Sequence, residues 1–571
     1  MSRNYLSYGY RRTFKTKLFH YIRHPKNTTN PLFMKNIQKN LFSHFYLKKL
    51  SAVWGPLLMV IFLVGTSNVS AQVADKTEDI APLNPPFEMA ELERPNIPDQ
   101  TFDIRDYGAK SMSEDEDFKN TDAIHRAIEA VEDAGGGRIL IPEGKWFTGP
   151  IHLKSNMNLH LADGAEIVFS TDKEDYLPVV RQRHEGVEAY NYSPMIYAYK
   201  VKNVSITGNG ILNAQGDHWW EWFEEHGAPP RAAATKVPLS RRDWGKGAGH
   251  EGMRPSFVVF WKSEDILIED ITLNDSPMWN LHMIYSNRII IRGVTINSLR
   301  APNGDGVVLD SSQDVLVEYN HFETGDDAVV LKSGLNEEAL EIDIPTKNIV
   351  VRNFEARKVR TGSGGVVFGS ETSGGIKNVY VHNALFDGSD RGIRFKTERG
   401  RGNVVENIYI ENVKMRNITY QAINFNTFYT GPEVTGPSPL MRNVVIKDVE
   451  IDGVPIAIEL VGLPEKWLEN IHLENITVKN SEQGARITRA KNLTMKNVTI
   501  NSEEVAMTVE DAYELFLDNV TLNDEAPGKP LIFSGRHTGA IFTDDFPLGQ
   551  MKFTDGLTKD IVKEAPEAQA W

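Results

Sequence analysis

Two short stretches of this chain hold side chains able to act together on an acidic, polar substrate. The first carries Asp305 in Asn303-Gly304-Asp305-Gly306, then Asp326 and Asp327 in Thr324-Gly325-Asp326-Asp327. Clustered carboxyls suit acid–base work because repulsion and burial lift one pKa above the ordinary value of about 3.9 while a neighbour stays ionised. A proton donor and a proton acceptor then coexist near neutrality. The second stretch is Arg391-Gly392-Ile393-Arg394-Phe395-Lys396-Thr397. Arg394 and Lys396 alternate with Ile393 and Phe395, so both cations share one face of a strand. Cations beside clustered carboxylates suit a uronate, a sugar with a negative charge of its own. The plainer alternatives are solvated corner aspartates and surface ion pairs worth little individually. No metal-ligand spacing stands out and no cofactor is expected. Zero cysteines exclude disulfides, thiolate sites and a cysteine nucleophile.

Asp305 and Asp326 lie 21 residues apart, so for them to meet the chain must return to the same place at about that interval. From Asn203 onward it does. A nine-residue unit starts at Asn203, Asp265, Arg288, Asp314, Asn348, Asn378, Asn407, Asn443, Asn470, Asn492 and Glu514. Each alternates apolar and polar residues and turns at its sixth, which is Asn, Asp or Gly in all but the unit that begins at Asp314. Period-2 apolarity with a corner residue that tolerates left-handed dihedrals is strand–turn–strand. Stacked short strands without intervening helices predict an all-β parallel β-helix, one coil per repeat. On neighbouring coils Asp305 and Asp326 would then sit at similar positions, with Gly325 and a turn needed to bring Asp327 to the same cleft. Asn120-Thr121-Asp122 ahead of Ile124, Ala127, Ile128 and Val131 predict a short amphipathic helix that caps the solenoid's N-terminal end.

The 571 residues exceed the roughly 250–300 at which one globular core stops growing, a limit a solenoid escapes. The net charge of −15 hides an asymmetry: residues 1–71 hold 11 Lys and Arg and no acid, leaving 51 basic against 77 acidic side chains in the rest. So acidic a body excludes sequence-independent nucleic-acid binding. Lys48-Lys49, the apolar run Leu57–Val64 and the small residues ending at Ala71 predict a secretory signal with a long basic n-region over 1–71. The run is well short of the roughly 20 residues of a membrane span, so export to the periplasm or medium is expected, with no stable span after cleavage. Residues 72–100 read as a Pro- and acid-rich linker or arm, 101–540 as the β-helix, and 541–571 as a C-terminal tail; a monomer is expected.

Taken together, Asn-Gly-Asp at 303–305, Gly-Asp-Asp at 325–327, Gly362-Ser363-Gly364-Gly365 running into Phe368-Gly369-Ser370-Glu371, and Ile-Arg-Phe-Lys at 393–396 resemble the polygalacturonases. These are glycoside hydrolase family 28, right-handed parallel β-helix enzymes that degrade pectin. Arg254-Pro255-Ser256 and Ser276-Pro277-Met278-Trp279-Asn280-Leu281-His282 resemble the same family, and the similarity spans roughly 100–525. The resemblance implies that Asp326 is the general acid, that Asp305 and Asp327 activate water, and that Arg394 and Lys396 hold galacturonate carboxylates, without a metal. The implied substrate is an acidic polysaccharide of the pectin class, cleaved with inversion. The family's usual Gly-His-Gly stands here as Gly362-Ser363-Gly364, which removes a titratable side chain. The insertion Gln215–Pro255, with Trp219, Trp220, Trp222, Trp244, Arg231, Arg241, Arg242 and Arg254, is expected to wall off one groove end and give exo attack. Competing readings are a Ca²⁺-dependent polyuronate lyase on the same fold and a non-catalytic carbohydrate-binding β-helix.

Overall fold

A computed structural model describes residues 76–227, 236–244, 253–358, 362–524, 531–543 and 546–564. The chain divides into two units, Met1–Val69 and Ser70–Trp571, and every described residue belongs to the second. The expected signal segment therefore lies outside the described residues. Among those described, no helix is long and apolar enough to cross a membrane.

The nine-residue units fold into coils of a parallel β-helix, right-handed as such crossovers are. Each coil contributes one strand to each of three parallel faces. One coil shows the pattern: Gln313–Glu318, then His321–Thr324, then Val329–Lys332. Each strand pairs with its counterpart on the next coil. Ile268, Ile291, Val317, Val351 and Val381 form one such register column, all fully buried. Each coil thus buries its apolar face on its neighbours.

The unit has two left-handed corners, its first residue as well as its sixth. All eleven first residues have φ between 50° and 60°. At the sixth position even Tyr319, which departs from the Asn/Asp/Gly pattern, has φ 57°. The corners carry two asparagine ladders. Asn378 Nδ2 donates to Asn348 Oδ1 at 3.1 Å and Asn407 to Asn378 at 3.1 Å along one; Asn383 donates to Asn353 at 2.9 Å and Asn497 to Asn475 at 2.9 Å along the other.

A helix at Thr121–Asp133 buries Ala123, Ile124, Ala127, Ile128 and Val131 against the first strands. Asn120 precedes it but makes no side-chain cap bond; its amide instead ties Lys110 to Phe147. Within the expected C-terminal tail, the short strands Met551–Phe553 and Val562–Lys563 continue the parallel pairing. They are three and two residues long, too short to show the nine-residue pattern.

Candidate active site

The site lies on the third face. Val307 pairs with Val329, so the register carried back two residues sets Asp305 beside Asp327, not beside Asp326 as the 21-residue spacing suggested. Gly306 N–H donates to Asp327 O at 2.9 Å and fixes that juxtaposition. Asp326 joins through a turn: Thr324 Oγ1 donates to Asp326 O at 2.7 Å, and Asp327 N–H to Asp326 Oδ1 at 3.0 Å. The turn requires Gly325, where a Cβ would sit 1.9 Å from Ala301 O. Each carboxyl then offers an oxygen within 4.8 Å of the others. Asp305 and Asp327 are buried, at 2% and 1% exposure, whereas Asp326 is half-buried.

Arg394 and Lys396 reach the cluster from Arg391–Lys396, held from below by the stacked rings of Phe368, Phe395 and Phe425, 4.2 and 4.0 Å between successive centres. Lys396 Nζ lies 2.8 Å from Asp327 Oδ2; Arg394 Nη1 lies 3.8 Å from Asp327 Oδ1 and donates to Gly362 O at 2.6 Å. Both cations sit under the ring of Tyr429, at 5.4 and 5.7 Å from its centre. From the Gly362-Ser363-Gly364 segment, the donor that reaches Asp327 is the backbone N–H of Gly364, 2.9 Å from Oδ1.

Electrostatics divide the three carboxyls. Burial would raise Asp327, but Lys396, then Arg394 and Lys332, outweigh it and hold its carboxyl below the ordinary range. Burial and then Asp327 push Asp326 up; burial and then Asp326 push Asp305 well up. One carboxylate that ionises more readily than usual therefore stands beside two that hold their protons more tightly.

Asn280, Lys332 and His282 had no assigned role in the sequence reading, and Arg254 had a different one, at the groove end. Asn280 donates twice to Asp305 O, from its backbone at 2.8 Å and its side chain at 3.0 Å. Lys332 faces Asp305 and Glu371, at 3.7 and 2.8 Å. Arg254 is buried over the Phe223 ring and donates to Pro277 O, Pro302 O and Asn303 Oδ1 at 2.7, 2.7 and 3.0 Å. It fixes the loop ahead of Asp305, and its burial lowers its pKa to about 10. His282 is buried 3.5 Å from Asp310, and desolvation lowers its pKa. The only sequence signal for these was proximity to the aspartate and Ser-Pro-Met-Trp-Asn motifs.

Three of the four tryptophans of the insertion 215–255 are buried, and the fourth, half-buried Trp222, stacks on His226 with Lys173 Nζ 4.5 Å from its ring centre. The buried three are Trp219, Trp220 and Trp244, and Trp220 Nε1 donates to Ser276 O at 2.8 Å. Apolar side chains on a helix, Gly216–His226, pack inward as they do in any core. Arg242 pairs with Glu338 at 2.7 Å. Arg231 and the rest of 228–235 and 245–252 lie outside the described residues. Beside the site lies the hairpin of Val180–His184 and Val187–Asn191, and the insertion packs along it: Arg242 Nη1 donates to Glu188 O at 2.9 Å and Trp244 N–H to Tyr190 O at 2.8 Å. Buried Arg183 anchors the hairpin to Asp310 at 2.7 Å and Ser311 at 3.1 Å, and stacks on Tyr285 at 4.3 Å. Its tip meets the strand end beyond the aspartates, where Leu335 N–H donates to Gly186 O at 3.2 Å.

Residues 240–459 match the model of the glycosyl hydrolases family 28. A probable polygalacturonase of Vitis vinifera is 34% identical over 301 residues, 51% of this chain and 56% of the relative. An exo-poly-alpha-D-galacturonosidase of Dickeya chrysanthemi is 28% identical over 335 residues, 54% of each. The chain thus spans just over half the length of these curated relatives. Among solved structures, a hyperthermoactive exopolygalacturonase from Thermotoga maritima is 34% identical with a TM-score of 0.65, the match covering 76% of this chain and 94% of that one.

Proposed function

The chain belongs to the glycosyl hydrolases of family 28, and from that premise we propose that it hydrolyses galacturonosyl linkages of pectin-type polymers. The observation that carries this reading is the meeting, from separate coils, of three carboxyls with Arg394 and Lys396. Asp326, half-exposed and raised in pKa, protonates the leaving glycosidic oxygen. Asp305 and Asp327 grip the attacking water and take its proton as oxygen bonds to the anomeric carbon. Two carboxylate oxygens sharing one water need about 4.5 Å between them, from two hydrogen bonds of about 2.7 Å. Separations up to 4.8 Å allow that. Arg394 and Lys396 hold the sugar carboxylate, with the Tyr429 ring above them.

We infer inversion from the resemblance and from the room for a water between Asp305 and Asp327, from which it would attack the face opposite the leaving group. Acid and base carboxyls about 5–5.5 Å apart would by themselves suit retention, and about 6.5–9.5 Å inversion. Proton NMR of the first product from a defined oligogalacturonide decides: the β-anomer is expected, and the α-anomer first would overturn inversion. The lyase reading is weaker, because Lys396 already neutralises Asp327 from 2.8 Å. A hydrolase gives saturated products and is indifferent to chelators; an unsaturated, ultraviolet-absorbing product would favour the lyase.

Exo attack is supported by the hairpin of 180–191 at one side of the cleft and by the two relatives named as exo-acting. Export is supported by the basic and apolar pattern of 1–71. Sizing products from polygalacturonate, xylogalacturonan and rhamnogalacturonan tests substrate and mode together. Uniform short products from polygalacturonate are expected, and no cleavage of any of the three would sink the reading.

A further inference from the structure

One buried cation beside the three carboxyls has no part in the reading above. Lys332 ends the strand Val329–Lys332, is 4% exposed, and shares a strand face with Val330. Its Nζ lies 2.8 Å from Glu371 Oε2, 3.7 Å from Asp305 Oδ2 and 4.9 Å from the centre of the Trp279 ring. One ammonium is thus divided between two buried carboxylates. It is held there from both sides. Ser333 N–H donates to Glu371 O at 2.7 Å. The hairpin tip packs so closely that a Cβ on Gly186 would lie 2.8 Å from Glu371 Cγ.

We propose that Lys332 is a positioning residue of this site, helping to draw the proton off buried Asp305 so that it can share the attacking water with Asp327, and that Glu371 sets how much of the ammonium's charge Asp305 receives. The proposal rests on the hydrolytic reading and names the pair that tunes it. Asp305 is faced by Asp326 and Asp327, which hold its proton on, and by Lys332 and Lys396, which draw it off. Lys332 is faced by Glu371, Asp305 and Asp327, which together overcome the burial that would discharge it. Burial and Asp326 hold the proton on Asp305, and a protonated carboxyl cannot take a proton from water, so the pull of Lys332 governs when Asp305 can serve.

Two substitutions should move the enzyme in opposite directions. Lys332→Gln removes the cation, so the acid limb of kcat/KM on polygalacturonate should shift up by about one pH unit, with about tenfold lower kcat/KM on that limb. Glu371→Gln leaves the whole ammonium to Asp305, and the same limb should shift down. A merely structural role moves neither limb and lowers folded enzyme only. If Lys332→Gln does not fold, the double variant Lys332→Met with Glu371→Leu, which buries no lone charge, should show the upward shift. An unmoved limb in Lys332→Gln or in the double variant, or both single variants shifting the same way, overturns the proposal. If the wild-type protein cleaves no polygalacturonate, the hydrolytic reading falls and takes this with it; cleavage with an unmoved limb overturns this alone.

Discussion

Asp326 differs from its two neighbours in being half-exposed and held by a turn, so its carboxyl can reach a bond in the cleft. Asp326→Asn keeps the shape and removes the donated proton. Hydrolysis should fall at least 10²-fold, the low end of general-acid catalysis, with an unchanged circular dichroism spectrum; near-wild-type turnover would displace Asp326 from the acid role. Lys396 has a double duty that the sequence hid. Alternation placed it on one face with Arg394, but only the coil register sets its ammonium against Asp327. Lys396→Met should therefore cost stability as well as uronate recognition, about 3–5 kcal/mol for breaking a buried pair. The folded pKa of Asp327 lies below its unfolded value. Its contribution is then present above about pH 4 and is lost as pH falls through the folded value. The melting deficit of Lys396→Met should be widest near neutrality and close as pH falls through the folded value of Asp327. A deficit constant across that range would mean that Lys396 acts by packing alone.

Element by element, strand patterning was legible and pairing partners were not. Period-2 apolarity and corner asparagines announce coils in the residues themselves, because each unit must bury one side and turn at a fixed place. The offset between coils depends on turn length outside the unit, which is why Asp305 stacks on Asp327 and not on Asp326. Three of the insertion's tryptophans, expected at the groove end, are buried for a related reason: Trp219 and Trp220 lie on a helix that turns such rings to the core, and Trp244 packs on His184 of the hairpin. The hairpin at 180–191 carries no repeat pattern and was invisible. Its anchor gives a test. Arg183→Met combined with Asp310→Asn should loosen the hairpin without stranding a buried charge. Longer oligomers should then appear among early products, and viscosity of a long polygalacturonate should fall more steeply per bond cleaved than with the wild type. An unchanged viscosity curve would separate the hairpin from the mode of attack.

At the scale of the molecule, a solenoid's coils touch only their neighbours, so nothing intrinsic couples one end to the other. The segment 76–100 supplies such coupling here. It runs outward along the corner ladders and returns. Lys76 pairs with Asp270 at 2.5 Å, Thr77 O accepts from Arg292 at 2.7 Å, and Ala81 O accepts from Arg352 at 2.8 Å. Phe87 meets Tyr409 at 6.4 Å between ring centres, and Asn96 O accepts from Asn203 at 2.6 Å on the way back. Between these points Ile80, Leu83, Met89 and Leu92 cover Leu267, Ile290, Leu316 and Val350, outward residues of successive coils. Burying each such side chain contributes about 1.5–3 kcal/mol at most, and the arm reaches coils that begin more than 200 residues apart in sequence. Removing residues before Thr101 should expose that stripe and leave Arg292 and Arg352 without the carbonyls they grip. The aspartate cluster lies on a different strand face, so hydrolysis at 25 °C should persist. What should change is cooperativity: the truncated protein should melt at lower temperature, over a broader range or in two steps, because coils that nothing straps together can unfold separately. A single transition as sharp and as high as that of the intact chain, seen by calorimetry, would show that the arm merely lies on the surface.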